Sequence, residues 1–79
     1  MIYTFHERFS ELVNQSDLTY EEIAKKLGLK SKGTISKYAS GQIQNIGPVM
    51  IDKIATLFCV SPIWLLGYTD DKHYKIKKN

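Results

Sequence analysis

The chain reads as an all-α domain of five short helices, and three observations predict it. Apolar residues recur at helical spacing in each segment long enough to test. Helix-start and helix-stop residues punctuate the chain between those segments. No run alternates apolar and polar residues as a half-buried strand does, and no internal repeat competes.

The elements follow in order. Thr4 and Glu7 stand at capping-box spacing, which predicts a first helix opening at Thr4. Phe5, Phe9, Leu12 and Val13 then share one helical face, and Asn14 to Asp17 break the pattern. Thr19 and Glu22 repeat the capping box for a second helix with an apolar face of Ile23, Ala24 and Leu27, which Gly28 stops. Ser31 offers an N-cap for a third helix from Lys32 to Ser40, ended by Gly41, with Ile35 and Tyr38 facing inward. A loop from Gln42 to Gly47 leads to Pro48, which suits the first turn of a fourth helix because the donor it lacks would be unpaired there. Ile51, Ile54, Ala55 and Phe58 form that helix's apolar stripe. Ser61 and Pro62 open a short fifth helix, Ile63 to Leu66, closed by Gly67. The sequence thus divides into a domain over residues 1–69 and a basic tail, or the start of a linker, over residues 70–79. The tail is polar and expected to fray.

Length and composition bound the function. A chain of 79 residues buries only about 60% of its unfolded surface and supports one core. Its 43% hydrophobic and 24% charged residues are those of a globular domain. No apolar run approaches the roughly 20 residues needed to span a bilayer, so no membrane role is expected. The start, Met-Ile-Tyr-Thr-Phe-His-Glu, lacks the basic and apolar regions of a signal peptide. Cys59 is the one cysteine, which excludes an internal disulfide framework and fits a reducing cytoplasm. His6 and His73 have no partners at metal-ligand spacing, and nothing resembles a phosphate loop or a nucleophile–base pair. The expectation is a protein that is not an enzyme and needs no cofactor.

The charge is unevenly spread. Between Ile23 and Ile51 lie Lys25, Lys26, Lys30, Lys32 and Lys37 and no acidic residue, and the last eight residues add Lys72, Lys75, Lys77 and Lys78. A net charge of +3 concentrated in this way suits a polyanion partner, although a solvated lysine-rich surface gives the same count. Helices two and three carry the more specific signal. Ala24 is small enough for two helices to cross closely, and Gly28 tolerates the left-handed turn between them. On the third helix, Gly33, Ser36, Lys37 and Ser40 lie opposite Ile35 and Tyr38. That small, polar, cationic face suits a major groove about 12 Å wide.

The stretch Leu18-Thr19-Tyr20-Glu21-Glu22-Ile23-Ala24-Lys25-Lys26-Leu27-Gly28, then Thr34-Ile35-Ser36-Lys37-Tyr38 and Ser40-Gly41, resembles the phage lambda-repressor/Cro family of helix-turn-helix regulators. Lys53-Ile54-Ala55, Val60-Ser61 and Trp64-Leu65-Leu66-Gly67 extend the resemblance, which covers about residues 5–69. It implies a compact lambda-repressor-like DNA-binding domain whose helix-turn-helix is formed by helices two and three. In this family's docking geometry the third helix lies in the major groove and the second crosses the backbone. By position, Lys32, Gly33, Ser36 and Lys37 fall where the family contacts bases. Thr19, Tyr20, Thr34, Gln42, Gln44 and Asn45 fall where it grips the DNA backbone. A homodimer contact is expected around Ile63, Leu65, Leu66 and Tyr68.

The chain departs from the family pattern in several places. The turn Leu29-Lys30-Ser31 is one residue longer than usual, Tyr20 stands where glutamine is common, and Ala39 replaces a frequent glutamate. Ile43 and Ile46 occupy loop positions where basic residues are usual. Cys59 takes a helix end where the family often has glycine, and is expected to be an inert buried thiol. Trp64, Leu65, Phe58, Ile54 and the phenylalanines of helix one read as core. Lys25 and Lys26 read as solvated charges, and Glu21 and Glu22 as helix-start charges favoured by the macrodipole.

The resulting expectation is a phage or bacterial transcriptional regulator, a repressor, that binds a palindromic double-stranded DNA operator as a dimer in the cytoplasm. A helix-turn-helix antitoxin or adaptor, whose main partner is a protein (an antirepressor included), is the alternative. Exposed Ile43 and Ile46 would favour it. Binding of RNA or of any nucleic acid through lysines alone is weaker, because only Tyr20 and Tyr38 could interleave as stacking aromatics and Tyr38 faces inward.

Overall fold

The computed structural model describes residues 5–75. Five helices follow one another: α1 Phe5–Gln15, α2 Tyr20–Lys26, α3 Lys32–Ser40, α4 Pro48–Phe58 and α5 Pro62–Leu65. No strand occurs among the described residues. Start signals fall where the sequence puts them. Thr19 and Ser31 cap α2 and α3, Pro48 opens α4 behind Gly47, and Ser61 caps α5 through the N–H groups of Ile63 and Trp64. The Thr4 start of helix one lies outside the described residues. Helix α1 runs through Asn14 and Gln15 before breaking, and α5 begins and ends one residue earlier than expected, because Pro62 itself takes the first helical position and Leu66 becomes the C-cap.

Each helix or its end contributes a fully buried side chain to one core: Phe9, Ile23 and Leu27, Ile35, Ile54 and Leu65. Helix α3 packs on α1 and α2, and α5 packs on α1 and α4. Tyr38 of α3 meets Phe5 and Phe9 of α1 edge-on, with ring centroids 6.2 and 6.0 Å apart, while Phe5 stacks on Phe9 at 5.4 Å. Such pairs add about 0.5–1.5 kcal/mol each beyond area burial. Phe58 is half-buried and completes the cluster edge-on to Phe9.

Arg8 was not singled out in the sequence, yet it is buried in the core at 5% exposure. It occupies an inward slot of α1, three residues after Phe5 and four before Leu12. Its Nη1 donates to the Trp64 carbonyl at 2.6 Å and to the Thr69 carbonyl at 2.7 Å, and the guanidinium lies 4.5 Å from the Trp64 ring centroid. Its Nη2 also reaches Asp70 Oδ1 at 3.3 Å, but the Asp70 side chain is 79% exposed. An exposed partner of this kind is worth about 0–1 kcal/mol, so the carbonyl bonds dominate.

The tail expected to fray is instead tied to the domain at its start. Besides the Arg8 bonds, the Ser61 N–H donates to the Lys72 carbonyl at 2.8 Å, and Lys72 Nζ stands 5.3 Å from the Trp64 ring centroid. Two further expectations change. Cys59 is exposed: it is the left-handed residue that closes α4, at φ 56°, beyond the helix's buried stripe, and its thiol lies 3.9 Å from the Thr56 carbonyl. Ile43 and Ile46 are half-buried and packed on the core, so the loop shows less apolar surface than the sequence implies.

Replacing Arg8 with Met keeps the apolar stem and removes the donors. Arg8→Met is expected to cost about 1–3 kcal/mol for the buried carbonyl left unpaired, read as a lowered urea midpoint. Asp70→Ala should change the midpoint little; a loss as large as that of Arg8→Met would mean that the ion pair, not the carbonyls, holds the tail.

Candidate nucleic-acid interface

Helix α2 has only seven residues and α3 nine. Both are shorter than the roughly 12–15 residues at which isolated helices become even marginally stable. Their ends are correspondingly well made. The Thr19 hydroxyl accepts the Glu22 N–H at 3.1 Å, and Glu22 Oε1 accepts the Thr19 N–H at 2.9 Å, a complete capping box. At the other end the Leu29 N–H bonds the Ala24 carbonyl at 2.8 Å and the Gly28 N–H bonds the Lys25 carbonyl at 3.1 Å. This is a Schellman closure, with Gly28 at φ 76° supplying the left-handed residue. Ala24 is buried at 3% exposure between helices that pack directly on one another.

The turn after Gly28 ends in the cap of α3. Ser31 is extended, its hydroxyl accepts the Gly33 N–H at 3.0 Å, and Lys32 becomes the first helical residue. Gly41 closes α3 at φ 85°, and a Cβ there would meet the His6 ring at 3.0 Å, so α1 lies close against this end. Ser10 adds a hydrogen bond from its hydroxyl to the Ala39 carbonyl at 2.8 Å.

These anchors fix the rotation of α3. Ile35 is fully buried and Tyr38 is 8% exposed, while Lys32, Ser36, Lys37 and Ser40 are exposed on the other side. Gly33 and Thr34 are half-buried. A Cβ at Gly33 would approach the Ser31 hydroxyl to 3.2 Å, which ties a small residue here to the cap itself. Thr19 and Tyr20 are exposed at the start of α2, and Gln42, Gln44 and Asn45 are exposed in the loop after α3. The interface residues named from sequence are thus accessible on α2, α3 and that loop, with Gly33 and Thr34 the most enclosed. The first turn of α3 has no acidic residue and begins with Lys32. A cation at the positive end of a helix dipole is unfavourable alone and favourable beside an external anion.

Of the four residues assigned to a dimer contact, Leu65 is fully buried within the chain and withdraws from that surface. Ile63 is half-buried, Leu66 is 36% exposed and Tyr68 75%. Val49, at 69% exposure, was missed. It stands in the first turn of α4, where the apolar stripe read from sequence left it out.

Among the described residues there is no group of three or more His, Cys, Asp and Glu side chains that could hold a metal ion. What the geometry defines is a helix-turn-helix, with a short capped helix crossing beneath a second one that is anchored on one face and polar and cationic on the other. A helix-turn-helix family model matches residues 10–65, and the chain belongs to that family, of the lambda repressor/Cro type. It is a DNA-binding, non-enzymatic family, and this chain is a DNA-binding transcriptional regulator in that general sense. No curated protein and no solved structure matches the chain.

The capping box also sets a pH dependence. Glu22 is held below its ordinary value of 4.5, first by the Thr19 backbone N–H, then by the Thr19 side chain, with a smaller attraction from Lys26. A carboxylate depressed on folding stabilises the fold above its unfolded value, and the contribution is lost as pH falls through the folded value. The melting-temperature advantage of the native chain over Glu22→Gln should therefore be full at neutral pH and close below pH 4.5. An advantage that persists unchanged in acid would show that the glutamate acts through packing and not through its charge.

Proposed function

We propose that this chain is a sequence-specific repressor that holds a palindromic operator as a dimer, with α3 in the major groove. The observation that carries the reading is the one-sided anchoring of α3: Ile35 and Tyr38 are buried while Lys32, Ser36 and Lys37 project from a span with no acidic residue. In this reading Lys32, Gly33, Ser36 and Lys37 read base edges. Gly33 does so by letting the backbone approach. Thr19, Tyr20, Thr34, Gln42, Gln44 and Asn45 position the duplex through its phosphates. The loop isoleucines, whose exposure would have favoured a protein-binding adaptor, pack on the core instead.

Pairing supplies the second half-site, about one helical turn or 34–36 Å away. The surface that supports it is apolar and lies on α4 and α5. A cleft of about 540 Å³ there is lined by Ile46, Pro48, Val49 and Leu66 among others, and the exposed Tyr68 follows Leu66 and Gly67 at the end of α5. Leu66 and Tyr68 keep their assigned role in this contact and Val49 joins them, while Ile63 lines a different cleft and is left out of it. No helix among the described residues is long and apolar enough to cross a membrane, and a bacterial or phage cytoplasm is the setting the proposed role implies.

The test is a fluorescence-anisotropy titration of a palindrome selected from random duplexes, beside a scrambled one. With about six to ten phosphates contacted per dimer, affinity should fall about 10³–10⁵-fold between 50 and 200 mM salt, and two chains should saturate each palindrome. Lys37→Ala should cost about 1–3 kcal/mol per half-site on the selected sequence and less on the scrambled one. Lys25→Ala should weaken both slightly and equally. Salt-insensitive binding, or one chain per palindrome at saturation, contradicts the proposal; equal losses for Lys37→Ala would make that lysine a phosphate contact.

A further inference from the structure

We infer that the cleft between the α4–α5 turn and the folded-back tail is a docking site for an acidic protein segment that carries apolar side chains. The cleft has a volume of about 460 Å³ and is lined by Val60, Pro62, Ile63 and Tyr74, with His73 and Lys75 along the tail side. It is built by the tail, which forms one wall. The Ser61 N–H holds the Lys72 carbonyl at 2.8 Å and Arg8 holds the Thr69 carbonyl at 2.7 Å, so residues 69–72 are fixed from two sides.

The two carboxylates of the tail, Asp70 and Asp71, stand outside the lining of the cleft. Asp70 Oδ1 is turned to Arg8. Asp71 Oδ1 accepts the His73 N–H at 3.1 Å, and the Asp71 carbonyl accepts the Tyr74 N–H at 3.1 Å. No Asp or Glu lines the cleft. Lys72 and His73 continue onto the adjoining surface beside Cys59. An apolar floor whose rim carries Lys75 and no carboxylate is complementary to a segment in which carboxylates flank one or two apolar side chains.

DNA fits the cleft poorly. Its lining comes from the end of α4, from α5 and from the tail, with nothing from α2 or α3, and a phosphate backbone has no apolar group for the floor. The site would therefore be open to a partner while α3 holds an operator.

The experiment uses the full chain and a capped synthetic peptide in which glutamates flank a Leu-Phe pair, followed by calorimetry and by amide NMR shifts. Saturable binding is expected, with shifts centred on Val60, Ile63 and Tyr74, and Lys75→Glu should weaken it about two- to fivefold, the scale of an exposed ion pair. Lys75 is exposed, so an unchanged melting temperature in that variant confirms that the fold is kept. The same peptide with lysines for glutamates should not bind, and prior saturation with a DNA duplex should leave the peptide affinity intact. Equal affinity for both peptides, shifts centred on α3, or no loss in Lys75→Glu would overturn the inference. So would shifts at Tyr74 that track protein concentration without peptide, which would identify a second copy of the chain as the occupant. Peptide binding without DNA binding would instead leave this site standing and remove the operator reading.

Discussion

The polar face that this domain would offer to DNA depends on how α3 is held. A helix of nine residues has too little intrinsic stability to keep its own shape, so its orientation comes from what it buries. Ile35 goes fully into the core, and Tyr38 is wedged edge-on against Phe5 and Phe9. An aromatic residue of this kind removes about 150–250 Å² from water, which at about 25 cal/mol per Å² outweighs a cap worth about 0.5–2 kcal/mol. The caps at Ser31 and Gly41 decide where α3 starts and stops, and the burial decides which face is left outside. Rotating the helix by one residue would bring Ser36 inward and expose Ile35.

The second requirement is a floor beneath that cluster, which the C-terminal part supplies through Arg8. Helix α5 has four residues, so it is a turn held by its surroundings more than a helix in its own right. Ser61 satisfies its first donors and Arg8 takes the Trp64 carbonyl. The same guanidinium fastens Thr69, and a core contact thereby determines where the tail leaves the domain. The left-handed Cys59 belongs to the same economy: Val60 N–H to Ala55 carbonyl at 2.9 Å and Cys59 N–H to Thr56 carbonyl at 3.3 Å close α4 as Gly28 closes α2. A non-glycine residue at positive φ is tolerated because the closure over-determines it.

What could be read from sequence follows from the range of the interactions. Capping boxes, proline starts and glycine stops act over three or four residues, so Thr19, Ser31, Gly41, Pro48 and Ser61 announced their elements to within a residue. The inward face of each helix was legible for the same reason, through Ile35, Tyr38, Ile54 and Trp64. The rest depends on contacts between distant residues. Arg8 lies 56 positions from Trp64, and its only local trace is a charged residue in an apolar slot of α1. The docked tail has no local signal, since Lys72 is held through its backbone carbonyl. Leu65 and Leu66 look alike in sequence and part company only because α1 packs on one side of α5. For the candidate interface, the exposed polar face of α3 was legible, while the half-burial of Gly33 and Thr34 reflects the Ser31 cap and the neighbouring helices.

In the proposed reading the two ends of the molecule divide the work: α3 and the start of α2 would meet DNA, and the α4–α5 end, shaped by Arg8 and the tail, would meet protein. The measurement that tests this division most directly is amide NMR of the full chain titrated with its selected duplex. The account predicts the largest shifts from Lys32 to Lys37 and at Thr19 and Tyr20, with smaller ones from Gln42 to Asn45. Shifts centred on α5 and residues 70–75, with α3 unmoved, would contradict it.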